Sequence, residues 1–224
     1  MAILSVVAPI KPERSLSLIL PSMLVLLLAA WNLDWRAWLA DKTRQHLSFG
    51  AAIALVPLWM LQAGVKDGLE VHFLGLTTMV LMLGWRMGVL MGTLSLLLIT
   101  LFGFEPWPDF GANWLLGVIV PLSFSYFVFL LTYSYLYRHL FVYIFVAGFF
   151  NAALTIALKM LTFAGYMVWS GQYSWQVVMD NYVGIMPLLL FPEALLNGMA
   201  ITLLVVFKPR WMNTFFDRDY LINK

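Results

Sequence analysis

The sequence contains no cysteine and few charged residues. Its 224 residues include 13 Lys or Arg and 11 Asp or Glu, and charged residues make up 11% of the chain, against about a quarter in a soluble domain. The absence of cysteine excludes disulfides, thiolate metal sites and iron–sulfur clusters. A net charge of +2 is too small to suggest a polyanionic partner such as a nucleic acid.

Apolar residues, by contrast, are abundant. They make up 62% of the chain, and the mean hydropathy is +0.88. A water-soluble fold of this length could not bury so much apolar surface, so lipid must be the solvent for most of it. The composition therefore predicts an integral membrane protein and excludes a soluble enzyme or a disordered linker. The apolar runs are continuous rather than alternating, which favours helices over a β-barrel.

The apolar runs predict about seven membrane-spanning helices. A spanning helix needs about 20 apolar residues, so residues 71–104 are too many for one crossing. We divide this run at Gly84-Trp85-Arg86, because an arginine at mid-bilayer costs several kcal/mol. The chain is thus predicted to be one all-helical, polytopic domain (residues 1–224) with a short tail (208–224) and spans at 15–33, 47–64, 70–83, 87–104, 113–133, 140–158 and 182–207.

The third predicted span is short, about 20 Å if helical, and short or broken helices in transporters often border a binding site.

The loop cations predict the orientation, because they accumulate on the cytoplasmic side. Most of them would lie on the side of the carboxyl-terminal tail, and only Lys11, Arg14 and Lys66 on the other. We therefore expect a cytoplasmic tail and an amino terminus outside. Lys159 falls at the outer end of its predicted span, where it can snorkel.

Glu193 is a carboxylate within the last apolar run. Intramembrane carboxylates are costly and usually face a bundle interior or a polar cavity. Asn197 lies four residues further on, hence on the same helical face. The pair is predicted to form an interior polar node that holds helices together; a direct contact with a substrate and a coupling or gating role are the alternatives.

A second polar cluster, Asp67, Glu70 and His72, begins the short third span. One imidazole and two carboxylates are plausible ligands for a divalent transition metal. Glu70 and His72 share a face only in an extended segment, whereas Asp67 and Glu70 align in a helix. The alternative to a metal site is an ordinary charged loop whose histidine caps or packs.

No catalytic motif stands out in the sequence. It has no G-x-S-x-G elbow, no H-E-x-x-H pair and no P-loop, the signatures of common hydrolases and ATPases. We therefore expect a protein that is not an enzyme. If ATP drives its function, a partner subunit must hydrolyse the ATP.

Three segments carry a family pattern. They are residues 72–78 with Leu83-Gly84-Trp85, the element Gly111-Ala112-Asn113, and residues 192–198 with the tail 208–221. Together they resemble the CbiM-type membrane component of cobalt/nickel energy-coupling-factor transporters, especially its compact branch in Gram-negative bacteria. The resemblance covers nearly the whole chain from about residue 40.

The resemblance implies a seven-helix, metal-capturing subunit that works with a transmembrane coupling subunit and a pair of cytoplasmic ATPases. His72 falls on the family's ligand histidine. Family members begin Met-His and bind metal through that amine and imidazole, whereas this chain begins Met1-Ala2-Ile3. Either Glu70 or Asp67 joins His72 as a ligand, or the substrate differs, or the site is vestigial.

With this resemblance, we expect a substrate-capturing transport subunit of the bacterial inner membrane with no cofactor of its own, and the resemblance implies Co²⁺ or Ni²⁺ as the substrate. The predicted metal ligands are His72, Glu70 and Asp67, and Asn113 contacts the substrate or orients a ligand. The alternatives are a structural or regulatory membrane partner that binds no metal, and an energy-coupling-factor subunit for another micronutrient.

Overall fold

The structure, a computed structural model, describes residues 12–64, 69–216 and 220, and most of these residues are helical. Within these ranges, the pairing of Ala63 with Val71 is an isolated β-bridge outside any strand. The all-helical prediction is therefore confirmed. The helices are α1 (Pro12–Trp31), α2 (Trp35–Ala40), α3 (Lys42–Met60), α4 (Leu76–Leu83), α5 (Trp85–Leu101), α6 (Trp107–Tyr135), α7 (Leu140–Trp169) and α8 (Trp175–Phe207).

Three of the helices, α6, α7 and α8, are long and apolar enough to cross a membrane. Shorter apolar stretches, Ser15–Trp31 and Trp85–Leu101, form most of α1 and all of α5. The outer surface carries large apolar side chains, for example Leu20 (77% exposed) and Leu188 (75% exposed). Such a surface is stable in lipid rather than in water, as expected for a membrane protein.

Only residues 76–83 of the third predicted span are helical. Residues 69–75 are not helical, and α4 is only eight residues long, about 12 Å. The division of the long apolar run, however, falls where it was expected. Gly84, with φ of 79°, ends α4 and precedes α5, and glycine accepts this left-handed φ without strain.

The sixth predicted span ends too early. Helix α7 continues beyond residue 158 to Trp169, because the residues that follow Lys159 are apolar and contain no proline. Lys159 therefore lies within the helix rather than at its end, and its side chain is only 5% exposed. The expectation that this lysine snorkels to the membrane surface is wrong.

Helix α4 lies at the centre of the bundle. It packs against α3, α5, α6, α7 and α8, and its residues Leu76, Val80 and Leu81 are fully buried. Both ends of a helix leave backbone groups without partners inside the helix. Since water and lipid cannot supply partners at this depth, other parts of the chain must do so.

Helices α1 and α6 approach each other closely at Gly111. A Cβ atom on Gly111 would collide with the backbone carbonyl oxygen of Ser15 and lie 3.0 Å from Cγ1 of Ile19. Gly92 of α5 is similarly restricted, because its Cβ would lie 2.8 Å from Cγ1 of Val118. Small residues let membrane helices pack at short distance.

We predict that Gly111→Ala destabilises the protein by about 1–3 kcal/mol, the usual cost of overpacking, because the obstructing atom belongs to the backbone of Ser15. The melting temperature of the purified protein in detergent measures the effect. Gly165→Ala is the matched control, since a Cβ there meets no atom within 4 Å. Equal melting temperatures for the two variants would contradict the close contact.

Candidate functional site

The Glu193 carboxylate binds the chain just before α4. It is 1% exposed and accepts hydrogen bonds from the backbone N–H groups of Leu74, at 2.9 Å, and Gly75, at 3.0 Å. These N–H groups belong to the entrance of a helix, where unpaired donors and the helix dipole favour a negative charge. Glu193 thus provides the protein partner that the buried helix entrance requires.

Asn197 extends this contact by one helical turn. Its Nδ2 donates to Oε1 of Glu193 at 2.7 Å, and its Oδ1 accepts from both the backbone N–H and the hydroxyl of Thr78, each at 2.9 Å. The structure thus brings Glu193 and Asn197 together, as their four-residue spacing predicts, and the role of the pair as a polar node that holds helices together stays a prediction. A direct contact with substrate or a gating role stays a prediction.

The other end of α4 is bound by the segment that follows α8. The backbone N–H of Asn213 donates to the carbonyl of Met82 at 3.0 Å, and the Thr214 hydroxyl donates to the carbonyl of Leu81 at 2.7 Å. Thr214 also bonds the Tyr143 hydroxyl at 2.7 Å. The sequence analysis did not predict this contact, because short polar residues after the last predicted span are typical of a solvent-exposed tail.

His72 lies on the non-helical segment that leads into α4. The segment is fixed on one side by the bridge of Val71 to Ala63 and on the other by the Trp59 indole N–H, which donates to the carbonyl of Leu74 at 2.9 Å. The rings of Trp59 and His72 lie 5.7 Å apart between centroids. The segment that carries His72 is therefore fixed by contacts with both α3 and α8.

The His72 imidazole has a hydrogen bond suited to a metal ligand. Its Nδ1 lies 3.0 Å from the carbonyl oxygen of Phe73. A carbonyl only accepts, so Nδ1 carries the proton and Nε2 keeps its lone pair. Metal-binding histidines commonly show this arrangement, in which one ring nitrogen is fixed and the other binds.

The other predicted ligands are only partly placed. Glu70 is half-buried and lies in the same non-helical segment, two residues before His72; successive residues in an extended segment alternate sides, so this is the conformation in which the two share a face. Asp67 lies outside the described residues. Among those that are described, no three His, Asp or Glu side chains are grouped closely enough to hold a metal ion.

Glu105 joins the turn after α5 to two neighbouring elements. Its Oε1 accepts from Nε2 of Gln62 and its Oε2 from Nδ2 of Asn113, both at 2.7 Å. Asn113 therefore orients a carboxylate. Sequence reasoning missed Glu105, because an acidic residue in a turn between two spans is usually exposed to solvent.

The pKa of Glu105 is raised above its ordinary value. Burial is the main cause, because it disfavours the charged form, and the hydrogen bond from Gln62 and the positive charge of Lys159 oppose it. The nearby carboxylates of Glu70 and Asp109 raise the pKa further. Glu105 is thus part of a polar region that includes Glu70 and Lys159.

We predict that Glu193→Gln loosens the entrance of α4. A glutamine side chain has only one acceptor oxygen, so its NH₂ must face the backbone N–H of either Leu74 or Gly75. A buried donor left without an acceptor costs about 1–3 kcal/mol. Hydrogen–deuterium exchange should become faster at residues 74–78. Thr202→Val on the same helix is the control, because the Thr202 hydroxyl bonds only within α8, to the carbonyl of Gly198. Unchanged exchange in Glu193→Gln would show that the carboxylate does not hold this segment.

The fold is that of a helical membrane protein with a short helix, α4, at its centre. The family described as the cobalt uptake substrate-specific transmembrane region, CbiM, matches residues 9–211. Since the match spans most of the sequence, the chain belongs to this family, whose members are components of metal uptake transporters and work with partner subunits. No curated protein matches the chain.

A solved structure has the same fold. It is the crystal structure of a truncated transition-metal transporter, 16% identical to this chain, with a TM-score of 0.73. The alignment covers 88% of this chain and 95% of the other. At this identity the likeness supports the arrangement of the helices and says nothing about individual ligands.

Proposed function

We propose that the protein is the substrate-capturing subunit of an energy-coupling-factor transporter that imports cobalt or nickel. Membership of the cobalt uptake family supports the substrate class. The observation that carries the proposal is the His72 imidazole, whose Nδ1 is bound to Phe73, so that Nε2 keeps a lone pair for a metal. Imidazole nitrogen suits nickel as well as other late divalent metals.

In this proposal His72 binds the metal together with Glu70 and Asp67. The extended segment allows Glu70 and His72 to lie on one face, and a carboxylate beside an imidazole supplies the charge that a divalent cation needs. Asn113 does not bind the metal directly. It fixes the Glu105 carboxylate, which adds negative potential to the same region.

The proposed topology has seven spans in the bacterial inner membrane, with the amino terminus outside and the tail in the cytoplasm. The three helices that are long and apolar enough to cross a membrane support three of these spans, and the two shorter apolar helices, α1 and α5, would supply two more. The remaining crossings would be α3 and the non-helical segment with α4. The proposed partners are a transmembrane coupling subunit and a pair of cytoplasmic ATPases, since the chain has no P-loop of its own.

We predict that His72→Ala abolishes cobalt and nickel uptake, because it removes the proposed nitrogen ligand. Uptake should be measured by metal-resolved mass spectrometry of cells that express the subunit with its partners. A loss of at least about tenfold is expected, equivalent to roughly 1.4 kcal/mol in binding. His46→Ala is the control, since His46 is exposed at the start of α3.

Immunoblots of the membrane fraction must show equal amounts of the two histidine variants. Full uptake in His72→Ala cells would contradict the ligand role of His72. Purified protein that retains neither metal, but is stabilised by an organic micronutrient in thermal-shift screening, would contradict the metal substrate altogether. The absence of a three-ligand group among the described residues makes this second measurement necessary.

A further inference from the structure

A cavity of about 560 Å³ lies at the carboxyl end of α4, within the size range of pockets that bind small molecules. Its wall comes from α2, from the end of α4, from the first turns of α3 and α5, and from the residues that follow α1 and α8. Most of the lining is apolar and includes Leu33, Trp38, Leu47, Met82, Met87 and Phe215. The cavity therefore suits a ligand with an apolar part.

The helix ends place the cavity at one surface of the membrane. Helix α8 is long and apolar enough to cross a membrane and ends at Phe207, and residues 209–213 line the cavity. Helices α1 and α4 also end here, and α3 and α5 begin here. Trp38 and Trp211 belong to the lining, and tryptophan is enriched where membrane meets water. The cavity thus lies at the depth of lipid headgroups.

Two guanidinium groups of the lining have donors to spare. Arg44 and Arg210 line the cavity with one carboxylate, Asp34, which already accepts from the backbone N–H of Ala37 at 3.0 Å. Arg44 uses its Nε for Asp41, at 3.3 Å, and a guanidinium has four further N–H donors. No carboxylate of the described residues lies within 4.0 Å of Arg210. The lining can therefore bind an anion.

Two more cations are fixed close to the lining. Nη1 of Arg86 donates to the carbonyl of Asn32 at 2.7 Å, next in the chain to Leu33. Nζ of Lys208 lies 5.5 Å from the ring centroid of Trp211. These two side chains add positive charge to a region in which Arg44 is the arginine with a carboxylate partner. The charge of the cavity is thus complementary to an anionic group.

We propose that this cavity binds an anionic phospholipid, with the phosphate at Arg44 and Arg210 and the upper part of an acyl chain against the apolar wall. Basic pockets between helices at a membrane surface bind anionic lipid headgroups, and arginine binds phosphate through two parallel hydrogen bonds. The lipid would contact Asn213, whose backbone N–H binds the carbonyl of Met82, and so would brace the end of α4. The site lies at the end of α4 opposite to His72 and does not depend on which substrate is transported.

Titration of the delipidated, detergent-solubilised protein with phosphatidylglycerol, followed by native mass spectrometry, tests the charge preference. Phosphatidylglycerol should bind at least about tenfold more tightly than phosphatidylcholine with the same acyl chains, because phosphatidylcholine has no net charge to attract the two arginines. Arg210→Gln should weaken the binding of phosphatidylglycerol about fivefold, since one basic side chain at an anionic lipid contributes about 1 kcal/mol. Arg138→Gln is the matched control, because Arg138 lies between α6 and α7 and does not line the cavity.

A second variant tests the cavity rather than its charge. Ala37 is exposed on α2 and lines the cavity, so Ala37→Trp should fill part of the space and weaken the binding of phosphatidylglycerol without removing a cation. Leu39→Trp is its control, since Leu39 is also exposed on α2 and lies outside the lining. Glycerol 3-phosphate should not displace the lipid, because it has no acyl chain to contact the apolar wall.

Four outcomes would overturn the proposal. They are equal affinity for the two lipids, equal binding by Arg210→Gln and Arg138→Gln, equal binding by the two tryptophan variants, and displacement of the lipid by glycerol 3-phosphate. If phosphatidylglycerol does not bind and Arg210→Gln instead lowers the amount of a partner subunit that copurifies, the occupant is a protein and the proposal is likewise wrong. None of these results bears on His72, which the uptake measurement tests separately.

Discussion

The structure depends on the pairing of a buried carboxylate with the entrance of a buried, broken helix. Helix α4 is too short to bring its own ends to water, so its first N–H groups and last carbonyls must find partners inside the protein. Glu193 and Asn197 supply acceptors at one end, while Asn213 and Thr214 supply donors at the other. A carboxyl group is retained in the interior of the bundle because the N–H groups at the helix entrance need acceptors.

This arrangement makes α4 a rigid link between two regions of the protein. At its entrance lies the His72 segment, and at its far end the carbonyls of Leu81 and Met82 bind the residues that follow α8. The same carboxyl-terminal part of the chain thus contacts both ends of one short helix. Two hydrogen bonds of Glu193 join α8 to the segment that carries His72.

Part of the candidate site was predictable from local patterns. A charged residue inside an apolar run marks a polar interior, and the four-residue spacing of Glu193 and Asn197 puts both on one face. These local patterns did not identify Lys159 or Glu105 as interior polar residues. Each lies near the predicted end of a span, where a charge normally reaches water, and only the packing of the chain buries Lys159 and half-buries Glu105.

The sequence by itself determined that most of the surface faces lipid, that the protein is helical and that the long apolar run divides near Gly84. The first two follow from the composition and its continuous apolar runs, and the third from the cost of placing Arg86 in lipid. The tertiary structure alone decided what Glu193 binds, since Leu74 is 119 residues away along the chain, and that Lys159 is buried beside the Tyr182 hydroxyl. Those outcomes depend on which helix faces pack together. Such packing arises from contacts between distant segments, which no local pattern in the sequence encodes.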